Sequence, residues 1–166
     1  MQYAHCSYCG AAYPAEAPWP RVCSRCGEIT WRNPLPVAVA LLPVDTDGGR
    51  GLVVVRRDIE PGRGELGLPG GYIEAGEQWR AAAVRELREE TTIEASADDV
   101  TLFDVHSTPS GFTLLVFGLL PPRPASALPP SVPTEEATGY EILLKPQELV
   151  FSTHTDAMAA YFASLQ

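Results

Sequence analysis

The chain is short of positive charge and has no long apolar run. Lys and Arg total 12 against 21 Asp and Glu, for a net charge of -9. That balance excludes a broad basic surface of the kind that grips duplex DNA. It leaves room for a phosphate-bearing partner reached through metal ions. The uncharged stretch from Gly111 to Pro122 is too short, and too interrupted by Gly and Pro, to cross a bilayer. Met1-Gln2-Tyr3-Ala4-His5-Cys6 shows no basic start leading into an apolar segment, so the sequence predicts a cytoplasmic protein with no secretory signal and no membrane partner. Heptads are absent, as are repeats beyond one pair of cysteine motifs. What remains is a globular composition, 45% hydrophobic and 20% charged, in 166 residues. That length suits one ordinary domain with a small appendage.

All four cysteines lie in the first 26 residues, as Cys6, Cys9, Cys23 and Cys26 in the pattern C-x2-C-x13-C-x2-C. Two thiolates at i and i+3 on a tight turn approach one ion from the same side. Glycine follows both pairs (Gly10, Gly27) and relieves crowding where the backbone turns. Two such knuckles complete a tetrahedral sulfur shell of the kind that holds structural Zn2+. Disulfides suit a secreted chain instead. A thioredoxin-like pair needs a CxxC entering a helix, whereas Tyr13, Pro14, Pro18 and Pro20 surround these pairs. His5 adjoins a knuckle but faces a shell already filled by four thiolates. The first 33 residues carry a net charge of +1 and the remainder -10, with the change at Asn33-Pro34-Leu35-Pro36. The expected division is therefore a zinc ribbon over residues 1–33 and a second domain over 34–166.

Along the second domain, Val37–Val44 reads as a buried strand, Asp47-Gly48-Gly49 as a turn, and Gly51–Arg56 as the partner strand of a hairpin. Gln78–Thr91 has neither Gly nor Pro and reads as a helix. Val100–Val105, Phe112–Leu119 and Tyr140–Leu144 read as strands, and Thr155–Leu165 as a closing helix. Pro121–Pro133 holds six prolines and reads as an irregular loop. On the first helix, Glu86, Glu89 and Glu90 fall at i, i+3 and i+4 and project from one side. Ala83, Val84 and Leu87 occupy the neighbouring arc. Three clustered carboxylates repel unless hard cations such as Mg2+ or Mn2+ neutralise them. The alternative is a solvated face paired with Arg85 and Arg88.

The surroundings extend the pattern. Gly71, Glu77, Arg85, Glu86, Leu87, Glu89, Glu90 and Ile93 match eight of the nine defined positions of G-x5-E-x7-R-E-U-x-E-E-x-G-U, where U is a bulky aliphatic. This closely resembles the Nudix box. Thr92 stands where the pattern has glycine. A β-branched residue disfavours the positive φ at which that glycine normally ends the helix, which sets the helix exit apart from the rest of the match. The resemblance implies an α/β fold, a Nudix αβα sandwich with a mixed sheet, and metal-dependent hydrolysis of a nucleoside diphosphate linked to another group. It implies that Glu86, Glu89 and Glu90 bind Mg2+ or Mn2+ and act catalytically, with Glu89 or Glu90 helping to deprotonate the attacking water. Arg85 would hold Glu77, and Gly70 and Gly71 would admit a metal-bound phosphate. A further carboxylate, Glu136 ahead of Glu135, would join the metal site from a downstream loop.

A zinc ribbon ahead of this box is similar to two subgroups. One comprises NADH pyrophosphatases, which also act on NAD-capped RNA and carry an S-Q-P-W-P-F-P-x-S stretch. His106-Ser107-Thr108-Pro109-Ser110-Gly111-Phe112 occupies that region and lacks the stretch. The other comprises FAD and ADP-ribose pyrophosphatases. It is resembled by the run from Cys26 to Pro34, by Arg57-Asp58-Ile59-Glu60-Pro61, by Leu68-Pro69-Gly70-Gly71-Tyr72, by Glu148-Leu149-Val150-Phe151-Ser152, and by Pro109 sixteen residues past Ile93. ADP-ribose or FAD is the preferred expected substrate. NADH or NAD-capped RNA, and a non-catalytic nucleotide sensor, are the alternatives. Arg57, Tyr72 and Phe112 join Gly70 and Gly71 as candidate substrate-binding residues. Arg56, Trp31 and Phe117 are further candidates for phosphate contact or base stacking, set against ordinary surface or core roles. The resemblance also implies a homodimer.

Overall fold

The computed structural model describes residues 3–165. Contacts divide the chain into two compact units, Met1–Pro34 and Leu35–Gln166. In the first, β1 (Arg21–Val22) pairs antiparallel with β2 (Ile29–Thr30). Its two knuckles are built alike. Gly10 donates to the Cys6 carbonyl at 3.0 Å and Gly27 to the Cys23 carbonyl at 2.9 Å, and both glycines sit at positive φ (72° and 77°), which a side chain would resist.

The second unit contains two mixed sheets. Strands β3 (Leu35–Leu41), β4 (Pro43–Thr46), β5 (Gly49–Arg57), β6 (Leu66–Gly67) and β7 (Gly70–Tyr72) lead into helix α1 (Trp79–Thr91). Then come β8 (Thr101–Ser107), β9 (Thr113–Leu119), β10 (Arg123–Pro124), β11 (Ala137–Leu143) and helix α2 (Ser152–Ala163). One sheet runs β7-β3-β9-β8, with β3 and β9 parallel. The other runs β10-β4-β5-β11, with β6 also on β5.

The Val37–Val44 run, expected as one strand, breaks at Leu42. Its first part pairs with β7 and β9, and its second pairs with β5. Every residue from Ala38 to Leu42 is fully buried, so the unbroken apolar text carried no mark of the change of sheet. Side chains then alternate between two cores. Val39, Leu41, Leu52 and Val54 pack with Phe117 and with Met158, Tyr161 and Phe162 of α2. Ala38, Ala40 and Val53 pack with Ala82, Ala83 and Leu87 of α1. The two helices thus cover opposite faces of the strands, which is the αβα layering.

Helix α2 starts at Ser152, three residues before the expected start. The helix α1 exit is also resolved: Thr92 adopts the left-handed conformation (φ 62°, ψ 8°) and its amide donates to the Arg88 carbonyl at 2.7 Å. A β-branched residue here occupies the place of a C-terminal glycine. No described helix is long and apolar enough to cross a membrane.

Candidate active site

Helix α1 carries the site because its buried stripe is not wholly apolar. Ala82, Ala83, Glu86, Leu87, Glu90 and Thr91 are its buried residues, at the spacing of a single helix face. Leu87 and Ala83 anchor that face in the core, and Glu86 and Glu90 are drawn down beside them. Glu86 is 9% exposed and Glu90 4%. Strand β7 meets them from the adjoining side. The Gly70 amide donates to Oε2 of Glu90 at 3.1 Å. A Cβ built on Gly71 would strike the Glu86 carboxylate, and one on Gly70 would come within 2.6 Å of the Ala38 carbonyl oxygen. These glycines therefore clear space for a carboxylate and for a neighbouring strand.

Burial pushes the Glu90 carboxyl up to about 8, against the Gly70 amide, which favours the charged form; Glu86 and Glu136 add repulsion. Burial also raises Glu86, opposed by the Arg85 guanidinium. Arg85 distributes its donors around the cluster: Nε and Nη2 to Glu77, Nη2 to the Tyr72 carbonyl at 3.0 Å, and Nη1 to Oε1 of Glu86 at 2.7 Å and to Oε2 of Glu89 at 3.0 Å. One oxygen each of Glu86 and Glu89 is thereby occupied, and the second oxygen of Glu86 has no protein partner among the described residues.

Glu136 reaches the cluster through sheet pairing. Its carbonyl accepts the Asp58 amide at 2.7 Å, just before β11 joins β5. Glu86, Glu89, Glu90, Glu135 and Glu136, with Thr134, line a cavity of about 320 Å³. Glu86 and Glu136 also border a larger cavity of about 840 Å³, together with Arg57, Gly70, Gly71, Tyr72 and Pro109. Of the expected contact residues, Phe112 borders neither cavity. Phe117 is fully buried in the core. Arg56 points to Glu141, with a 2.6 Å ion pair. Trp31 belongs to the first unit.

Phe151, Thr153 and His154 also line the larger cavity. They were not among the expected site residues. Phe151 and Ser152 lie in a family-like string, and a helix expected to start at Thr155 leaves them, with Thr153 and His154, outside it.

The donor set suits a hard divalent cation: carboxylate oxygens, two of them buried, repelling one another and lacking enough positive charge. In the first unit the four thiols are the one group of three or more metal-binding side chains, among the described residues, whose donor atoms all lie within 4.8 Å of one another. None is in a disulfide. The Cys9 and Tyr8 amides help hold the Cys6 thiol down at about 6, and the Cys26 and Arg25 amides lower Cys23. Amides aimed at sulfur in this way favour thiolate, the form that ligates metal.

The family model for the NUDIX domain matches residues 34–165. Among solved structures, a NUDIX hydrolase from Nitrosomonas europaea is 20% identical with a TM-score of 0.73, covering 96% of this chain and 90% of that one. The NUDIX domain of Shewanella oneidensis NrtR, solved with ADP ribose, is 18% identical with a TM-score of 0.67, covering 82% of this chain and 91% of that one. A bifunctional NMN adenylyltransferase/ADP ribose pyrophosphatase from Francisella tularensis, solved with AMP and a manganese ion, is 21% identical with a TM-score of 0.66. It is covered over 82% of this chain but only 43% of its own length. At these identities the likeness is one of fold. No curated protein matches the chain significantly.

Proposed function

The chain belongs to the Nudix family and is a pyrophosphohydrolase, and from that premise we propose that it hydrolyses a nucleoside diphosphate linked to a second group, with ADP-ribose or FAD preferred. The observation that carries this reading is the pair of buried carboxylates, Glu86 and Glu90, in a cavity that shares Glu86 and Glu136 with a larger one, the two large enough together for a dinucleotide-like ligand. Glu86, Glu89, Glu90 and Glu136 would hold Mg2+ or Mn2+, and when bound these ions supply charge neutralisation of the diphosphate and acidification of water. Glu89, the most exposed of the helix trio, accepts the proton of the attacking water. A new P–O bond forms to that water as the bridging P–O bond breaks, giving AMP and the phosphorylated partner. Gly70 and Gly71 keep the β7 backbone close to the reacting phosphate. Tyr72, 60% exposed at the cavity, offers a ring for the base. Zn2+ on Cys6, Cys9, Cys23 and Cys26 is the structural part of the reading, since a filled sulfur shell leaves no open position.

The test is a panel of ADP-ribose, FAD, NADH and NAD-capped RNA compared by kcat/KM with Mg2+ and with Mn2+. AMP release, highest from ADP-ribose or FAD, is the expected result. Glu89→Gln and Glu90→Gln should each lower kcat by at least about 100-fold without unfolding the chain. Tight binding of every substrate without release would replace hydrolysis by nucleotide sensing.

A further inference from the structure

The larger cavity is lined by two chemically opposite sets of groups. Glu86 and Glu136 only accept when ionised. Arg57, which lies beside Glu136 where β5 meets β11, and the first turn of α2 bring donors. That helix is twelve residues long, and its N-cap residue, Phe151, gives no side-chain cap. The Ser152 and Thr153 amides have no hydrogen-bond partner among the described residues. An uncapped N-terminus leaves such donors and the positive end of the helix dipole facing outward.

Two buried side chains point to what belongs there. Thr153 is 7% exposed and its hydroxyl makes no hydrogen bond to protein. His154 is 4% exposed, and its Nδ1 accepts the Leu68 amide at 3.1 Å. That bond places the ring proton on Nε2, which has no protein acceptor among the described residues. Among those residues no fully enclosed side-chain nitrogen or oxygen lacks a partner. Both groups therefore reach the cavity that their residues line. Beside them the Arg57 guanidinium lies 5.3 Å from the centre of the Phe151 ring. Its Nε donates to the Pro61 carbonyl at 2.9 Å, and its terminal nitrogens form no bond to the described residues. Glu60 and Glu74 border the same cavity but are exposed to solvent, which weakens their field.

We propose that the first turn of α2, with Arg57, is a phosphate subsite that takes the phosphoryl group of the substrate lying away from the α1 carboxylates. This rests on the diphosphate reading above. Main-chain amides, a hydroxyl, an imidazole N–H and a guanidinium form a wall that donates, and the ligand class such a wall selects is a phosphoryl oxyanion. A diphosphate in the cavity would then have one phosphate near the carboxylates, which would hold the cations, and the other at the donors of Arg57 and the first turn of α2.

The experiment uses the zinc-loaded full chain without added Mg2+ or Mn2+, titrated with inorganic phosphate and followed by amide NMR. The Ser152 and Thr153 amides should shift together and saturably. Thr153→Val, which removes only the hydroxyl, should weaken binding about tenfold, the scale of one hydrogen bond to a charged group, and Thr153→Ser should restore it. In turnover with Mg2+, Thr153→Val should lower kcat/KM by about the same factor, carried by KM. Unmoved amides up to the solubility limit of phosphate overturn the subsite, as does a Thr153→Val affinity equal to the wild type. The amide readout needs no turnover and no variant. Saturable shifts without AMP release from any diphosphate would support the subsite while removing the hydrolase reading.

Discussion

Arg85 and Glu77 meet in a two-pronged ion pair, Nε to Oε1 at 2.9 Å and Nη2 to Oε2 at 3.0 Å. The pair ties the loop after β7 to the middle of α1, and the same guanidinium extends to Glu86 and Glu89. Its hydrogen bonds hold the Glu77 carboxyl below its ordinary range. Lysine offers a point charge in place of a planar fork. Arg85→Lys should therefore lower kcat/KM by more than about tenfold and reduce Tm, and a double-mutant cycle with Glu77→Gln should show coupling of about 1 kcal/mol or more. Additive effects would show that the two side chains act independently.

Gly71 tests the clearance around Glu86. An alanine methyl there would collide with the carboxylate, while the backbone angles suit any residue. Gly71→Ala should cut kcat by about 100-fold, the loss expected when a catalytic group is displaced, with little change in the urea midpoint. Near-normal kcat would mean that Glu86 has room to move.

Thr92 carries strain at the end of α1. Its left-handed φ of 62° costs an L-residue roughly 1–2 kcal/mol, part of which glycine returns as unfolded-state entropy. Thr92→Gly should raise the unfolding free energy by about 1 kcal/mol in urea titration. A lower midpoint would contradict the strain.

His154 should make stability depend on pH. Burial lowers its pKa to about 3, helped by the nearby Arg57 charge, against an ordinary value of 6.5. Between those values the unfolded chain binds the extra proton. The contribution is therefore fully present above pH 6.5 and is lost as pH falls toward 3, by up to about 1.4 kcal/mol per unit. Glu90, raised to about 8, acts in the opposite sense between its ordinary range and pH 8. The comparison of wild type with His154→Gln across pH 7 to 4 isolates the histidine, because Glu90 is common to both. The variant should lose the acid-side slope. Equal slopes would show that folding does not desolvate the His154 ring enough to lower its pKa.

These residues also show what the sequence could and could not reveal. The carboxylate helix was legible because its glutamates are fixed by helical spacing within one segment, and the sulfur cluster because two short turns repeat. Glu136 was visible only as a candidate, since its place depends on β11 pairing with β5 some eighty residues earlier. The break at Leu42 was hidden because both of its flanks are buried alike. Phe112 was expected among the substrate contacts on its ring alone, yet the turn before β9 leaves it away from both cavities and 54% exposed. Thr153 and His154 gave no local sign, because their chemistry comes from an uncapped helix end packed against strands distant in the chain. Thr92 was rightly singled out as the odd position of the box, but the chain tolerates the left-handed turn there.

Hydrolysis as proposed needs cations held by the α1 carboxylates. Anomalous diffraction from a crystal soaked in Mn2+, at a concentration that supports turnover, tests it most directly. The expected result is manganese density against Glu86 and Glu90 at about 2.0–2.2 Å, with Arg85 still on Glu77. Manganese density elsewhere, with Glu86 and Glu90 facing only water and Arg85, would rule out a cation site on this helix.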